Sequence, residues 1–184
     1  MRDNKKTAKI LITLFLVIIM ITSVLGFIAL QGNSNSNLAT TKKINGYKFD
    51  LVNGRWVTSI NGQQFVFDNL PDQLKGYEVN DLSLTGNNYI IYDFSKNDIE
   101  DSLAKLELVL RLTGKGGLRA CLNEKECDNE LPIVDCSKVN GFYFKINDEK
   151  NIISKEGNCF KIEGSIFQIS NNIDYINYKI LGVI

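Results

Sequence analysis

The residue types best suited to chemistry fall into two groups. The first is Cys121, Cys127, Cys136 and Cys159, the whole cysteine complement. Such a set can hold a soft metal, exchange disulfides or close structural cross-links. A four-cysteine zinc site usually draws on pairs two to four residues apart, and the gaps here are five, eight and 22 residues. Thiol–disulfide exchange usually relies on a Cys-x-x-Cys motif that lowers the nucleophile's pKa, and the chain has none. Structural disulfides are therefore the expectation, with three connectivities open to four cysteines.

The second group is carboxylates. Asp93 falls at the C-terminal end of a predicted strand, with Asp98 and Glu100 close behind. Two carboxylates flanking a glycosidic bond are the machinery of a glycan hydrolase. The same residues also suit helix capping and pairing with the helix N-terminal dipole, which is the preferred reading. Glu124, Glu126, Asp128 and Glu130 alternate beside Cys127. Carboxylates are calcium ligands, but a solvated acidic loop is preferred. The chain has no histidine, which removes His-based triads and nearly every catalytic zinc site. No catalytic, cofactor-binding or metal-ligating residue is assigned, and the balance leans away from an enzyme.

The elements that must position these residues show in the hydropathy pattern. Asn53-Gly54 and Asn61-Gly62 are two-residue hairpin signals. They predict strands over 47–52, 55–60 and 63–68, with Tyr47, Phe49, Leu51, Trp56, Ile60, Phe65 and Phe67 on one face. That aromatic row reads as core, with a sugar-stacking platform as the alternative. Tyr89–Phe94 predicts a buried strand. Ser95-x-x-Asp98 resembles a capping box, and Ile99, Leu103, Leu106 and Leu110 repeat at helical spacing, with Leu108 and Leu112 widening the stripe. Gly114 suits the helix C-cap. A strand over 118–122 then makes a parallel β-α-β crossover. The Gly114–Gly117 stretch follows a helix rather than opening one, so it reads as a turn and not as a phosphate cradle. Residues 141–163 predict a second meander. Ser165-x-x-Gln168, then Ile166, Ile169, Ile173, Ile176 and Ile180, predict a C-terminal amphipathic helix closed by Gly182.

This layout selects among the disulfides. In an up-down-up meander the first and third strands start at the same end. Cys136 precedes the first and Cys159 opens the third, so Cys136–Cys159 is favoured, leaving Cys121–Cys127. Loop-closure entropy puts these at about 3.5 and 2.4 kcal/mol.

Compartment follows from Ile10–Leu30, 21 residues without a charge, which is long enough for a transmembrane helix. Arg2, Lys5, Lys6 and Lys9 precede it, which predicts a cytoplasmic N-terminus. A cleaved secretion signal is the rival, with a shorter core and small residues at the cut site. The expected organisation is a basic tail over 1–9, the span over 10–30, a flexible linker over 31–42, and one extracytoplasmic α+β domain over 43–184. That domain is expected as a mixed sheet of β-meanders and one βαβ-like unit, with two packed helices, stapled by disulfides. Beyond the span 17 basic and 20 acidic residues remain, net −3 and without a basic run, which excludes nucleic acid as an expected partner.

The basic N-terminus, the single span, NGYKF, ACL, LPIVDC, NCFKIEG and the closing YKILGVI together resemble uncharacterised small membrane-anchored archaeal proteins. The resemblance implies a location at the membrane and carries no activity, cofactor or site residue. The expected role is binding or scaffolding at the outer face of the cell membrane, with the lipid bilayer met through Ile10–Leu30 and a protein or glycan partner outside. The alternatives are an extracytoplasmic carboxylate-based hydrolase and an accessory subunit of a membrane complex. The span has no Gly-x-x-x-Gly pair to signal helix association.

Overall fold

The computed structural model describes residues 40–77, 79, 82, 84–93, 98–127 and 130–184. The expected span Ile10–Leu30 and the linker up to residue 39 lie outside the described residues. No helix among the described residues is long and apolar enough to cross a membrane.

The strands form two sheets rather than the single mixed sheet expected. The first is an antiparallel meander of β1 (Thr41–Ile44), β2 (Tyr47–Val52), β3 (Arg55–Ile60) and β4 (Gln63–Phe67), in that order. Leu51 pairs with Trp56, Thr58 with Phe65 and Trp56 with Phe67, the register that the two hairpin signals dictate. Both residues of each turn have positive φ, 50° and 79° at Asn53-Gly54, 52° and 79° at Asn61-Gly62, as a twist-matched two-residue hairpin requires. β1 is a correction to the linker, which was expected to run to residue 42. It pairs with β2 through a third turn of the same kind, Asn45-Gly46, at 49° and 86°.

The second sheet runs β6 (Gly116–Ala120), β5 (Asn88–Ile91), β7 (Asn140–Ile146), β9 (Cys159–Gly164) and β8 (Ile152–Glu156). All neighbours are parallel except β8 with β9. β5 and β6 are the expected parallel crossover, joined by helix α1 (Glu100–Leu112). The helix opens later than expected. Its N-cap is Ile99, without a side-chain cap, and Ser95 lies outside the described residues. At its other end Gly114 takes φ 68°, and the Lys115 and Gly114 amides donate to the Leu110 and Arg111 carbonyls, a glycine-closed helix end.

The expected meander over 141–163 is also corrected. β9 inserts between β7 and β8 instead of following β8 outward. The residue types explain the order. Phe142, Phe144, Cys159 and Ile162 are buried and need neighbours on both sides, while β8 (IISKE) is almost wholly exposed and suits an edge.

Helix α2 (Ile166–Ile180) opens on the expected box: Ser165 Oγ accepts from the Gln168 amide, and Gln168 Oε1 accepts from the Ser165 amide. α2 forms a middle layer. Ile169, Ile173 and Ile176 pack with Ile90, Phe142, Phe144 and Ile162 of the second sheet. Tyr178 packs with Phe49, Phe67 and Leu70 on the other side, its ring stacked on Phe67 at 3.9 Å. α1 lies beside it and adds Leu103, Leu106 and Leu110 to the first core and Val109 to the second. The far face of the second sheet is covered by a smaller cluster of Ile91, Ala120, Cys136 and Cys159. The disulfides are Cys136–Cys159, within this cluster, and Cys121–Cys127, just beyond the end of β6. β7 and β9 are parallel neighbours, so Cys136, four residues before β7, and Cys159, the first of β9, meet at one end.

Candidate functional site: a groove between an edge strand and a helix

Where α1 runs beside β4, the surface opens into a groove of about 290 Å³. Its strand wall is Gln64, Phe65, Val66 and Phe67; its helix wall is Ala104, Leu108 and Val109. The volume is just below the roughly 300–1,000 Å³ of sites that enclose whole small molecules. It suits a few side chains rather than a large cofactor. Val66 and Leu108 are 38% and 48% exposed, so apolar surface stands open on both walls. At the floor, Asn177 of α2 is 1% exposed, and its Oδ1 has no hydrogen-bond partner among the described residues. A buried acceptor without a donor costs about 1–3 kcal/mol.

One end of the groove is closed by a charge cluster. Lys105 Nζ donates to Asp68 Oδ2 at 2.7 Å and lies 3.3 Å from Asp101. Arg55 reaches Asp101 at 3.0 Å and Asp68 at 3.4 Å. Two cations and two anions compensate one another, so the cluster gives the groove no net charge. The hydroxyl of Ser170 donates to Asp68 at 3.5 Å, with Ser102 at 2.9 Å from Ser170.

Behind the cluster, Asp174 of α2 is 1% exposed. Its Oδ2 accepts from the amides of Asp68 and Asn69, both at 2.9 Å. Burial pushes its carboxyl up to about 6 from the ordinary 3.8, and the neighbouring Asp68 charge adds to the rise. The Asn69 and Asp68 amides and the Lys105 charge oppose it. Tyr178 donates to the Asn69 carbonyl at 2.7 Å, and burial, then Asp174, raise its pKa. These bonds anchor the end of β4 onto α2.

The carboxylates singled out in the sequence do not line this groove. Asp93, Asp98 and Glu100 gather instead around Tyr92, beyond the C-terminal end of β5. Burial raises the Tyr92 hydroxyl to about 12, and the charges of Asp98, Asp93 and Glu100 add to the rise. Glu100 is engaged by Arg119 at 2.6 Å, whose Nε also donates to Glu107 at 2.7 Å. Glu100 lies in the first turn of α1 and is held there in an ion pair. Of the acidic loop, Glu124 borders a broad open depression with Asn123, Lys125 and Ile133, while Asp128 lies outside the described residues. Among the described residues no group of three or more Cys, Asp or Glu is placed to hold a metal ion. The aromatic row is mostly turned inward: Phe49, Phe65 and Phe67 are buried, as a core needs and a sugar platform does not.

No family model, no curated protein and no solved structure matches the chain. Function is therefore argued from the site alone. The residues that make the groove, Gln64, Val66, Ala104, Leu108 and Asn177, carry only one advance signal. Leu108 and Leu112 widen the apolar stripe of α1 past what its core face needs, and both are 48% exposed.

Proposed function

We propose that the protein is a binding module held at the outer face of the cell membrane by Ile10–Leu30, with the groove between β4 and α1 as its binding site. The observation that carries this reading is the meeting of open apolar walls with a buried, donorless acceptor, Asn177 Oδ1. An occupant would cover the walls and supply the donor. The net charge of −3 beyond the span, without a basic run, supports a partner other than nucleic acid. The unassigned carboxylates support no hydrolytic centre, because Glu100 is paired with Arg119 and none of Asp93, Asp98 and Glu100 borders the groove.

The test uses the full-length protein in intact cells, with a photocrosslinking residue in place of Leu108 or, as a control, of Lys155 on β8. Adducts of defined mass are expected from position 108 alone, and Ala104→Trp, which fills the groove, is expected to remove them. Equal adducts from both positions, or adducts indifferent to Ala104→Trp, refute the binding site. Protection of residues 43–184 from an added impermeant protease refutes the location.

A further inference from the structure

We propose that the occupant of the groove is an extended, uncharged segment of a partner polypeptide, which adds to β4 as a fifth strand of the first sheet. This rests on the groove being the binding site.

The register of β4 supplies the first argument. In a two-residue hairpin the residues flanking the turn exchange both hydrogen bonds, and bonded pairs then alternate with unbonded ones. Gln63, Phe65 and Phe67 are thus bonded to Ile60, Thr58 and Trp56. Gln64 and Val66 direct their N–H and C=O groups away from β3, to the side of the groove. Among the described residues those groups have no partner. The next amide in the alternation, that of Asp68, is already taken by Asp174. So the open stretch has a fixed length, two residues whose backbones offer two donors and two acceptors.

The second argument compares the outer strands. An exposed sheet edge templates further pairing unless charge or proline blunts it. β1 carries Lys42 and Lys43, β6 carries Arg119, and β8 carries Lys155 and Glu156. β4 reads Gln-Gln-Phe-Val-Phe, with neither charge nor proline. Among the described residues it is the one outer strand left chemically unguarded.

The third is lateral spacing. Tyr178 of α2 touches Phe49 on β2 and Phe67 on β4, so α2 lies beneath β3. Packed helices lie about 8–10 Å apart and strands about 4.8 Å apart. Helix α1, packed beside α2 on the side of β4, therefore lies roughly two strand widths beyond β3. That is beneath the place a strand after β4 would take. Ala104 and Leu108 would meet the underside of that strand, and Asn177 Oδ1 would accept from one of its side-chain or backbone donors.

The chemistry of the partner follows. Main-chain bonds to Gln64 and Val66 give it an extended backbone, and alternate side chains face down into the groove. Those facing down are apolar, to match Phe65, Leu108 and Val109, and those on the opposite face lie beside Val66. They carry no charge, because Arg55, Lys105, Asp68 and Asp101 satisfy one another.

The test presents immobilised random heptapeptides to the full-length protein in detergent micelles. Enrichment of uncharged peptides with alternating β-branched or aromatic residues is expected. Val66→Pro deletes an amide that plays no part in pairing with β3, and it is expected to weaken the enriched peptides by up to about tenfold, the loss of one main-chain bond. N-methylation of alternate peptide residues is expected to do the same to unaltered protein, which keeps the test independent of how the variant folds. Enriched peptides that tolerate both changes overturn strand addition while leaving the groove as a binding site. Absence of any enrichment overturns it too, and loss of the position-108 crosslinks in cells decides separately on the groove. A mass that doubles with concentration and reverts with Val66→Pro assigns β4 to a second copy of the chain, which also overturns the proposal.

Discussion

Asp174→Asn removes the most heavily buried charge in the described structure while keeping an oxygen for the Asp68 and Asn69 amides. The folded protein holds the Asp174 proton up to about pH 6, whereas the unfolded chain releases it near the ordinary 3.8. Between those values the native state binds more protons than the unfolded state, so stability falls as pH rises. The contribution is fully present below 3.8 and gone above about 6. A rise from 3.8 to about 6 corresponds to about 3 kcal/mol at about 1.36 kcal/mol per pKa unit. Other carboxylates titrate in the same window, so the informative quantity is the difference between the two proteins. Urea unfolding of each from pH 3.5 to 7.5 is expected to show the wild-type advantage over Asp174→Asn shrinking by about 3 kcal/mol across this range. A difference that is flat, or that grows with pH, would mean that the two amides and Lys105 outweigh burial, and the reasoning from desolvation would be wrong.

Two further perturbations test the rest of the framework. Replacing Cys136 and Cys159 together by Ala is expected to cost about 3.5 kcal/mol in urea unfolding, and replacing Cys121 and Cys127 together about 2.4 kcal/mol, because the first pair closes the longer loop; the reverse order would show that packing around the bonds outweighs loop closure. Gly141→Ala places a Cβ against the Tyr89 carbonyl of the neighbouring strand β5. It is expected to cost about 1–3 kcal/mol by thermal unfolding, because backbone on both sides leaves little room to yield, and an unchanged midpoint would place β5 and β7 further apart than the register requires.

Much of the fold is legible from local chemistry. Asn-Gly turns announce the first meander and its register. Ser165 and Gln168 announce the start of α2, and Gly114 the end of α1. These signals work because each rests on backbone geometry within a few residues. β1 carries the same signal at Asn45-Gly46, and the polarity of Thr41-Lys42-Lys43 disguises it, since an outer strand exposed on its faces needs little apolar patterning. The insertion of β9 between β7 and β8 is a different matter. Chain order alone favours neighbours in sequence, and only the contrast between the buried β9 and the exposed β8 argues otherwise. The polar residues of α2 show the same dependence on context. Asn171, Asn172, Asp174 and Asn177 weaken an amphipathic reading, yet all four are buried, because the helix is covered on both sides; Asn171 and Asp174 hold the chain at the end of the first sheet, and Asn172 donates to the Gln168 carbonyl of its own helix.

The groove was out of reach of the sequence for a reason that also explains why it exists. An edge is a property of strand order and layer width, and neither is encoded at β4 itself. Phe65 and Phe67 would be core residues whether β4 had one neighbour or two, because both side chains leave the strand perpendicular to its pairing edge. What makes β4 an edge is that the chain turns away after Asp68, where the Asp174 carboxylate takes the Asp68 and Asn69 amides and holds the following residues down toward α2. The buried acid therefore sets the boundary of the groove as well as anchoring the sheet. It follows that Asp174→Asn, by keeping an acceptor there, leaves the edge in place, whereas Asp174→Ala frees both amides and loosens the end of β4 that an incoming strand would pair with.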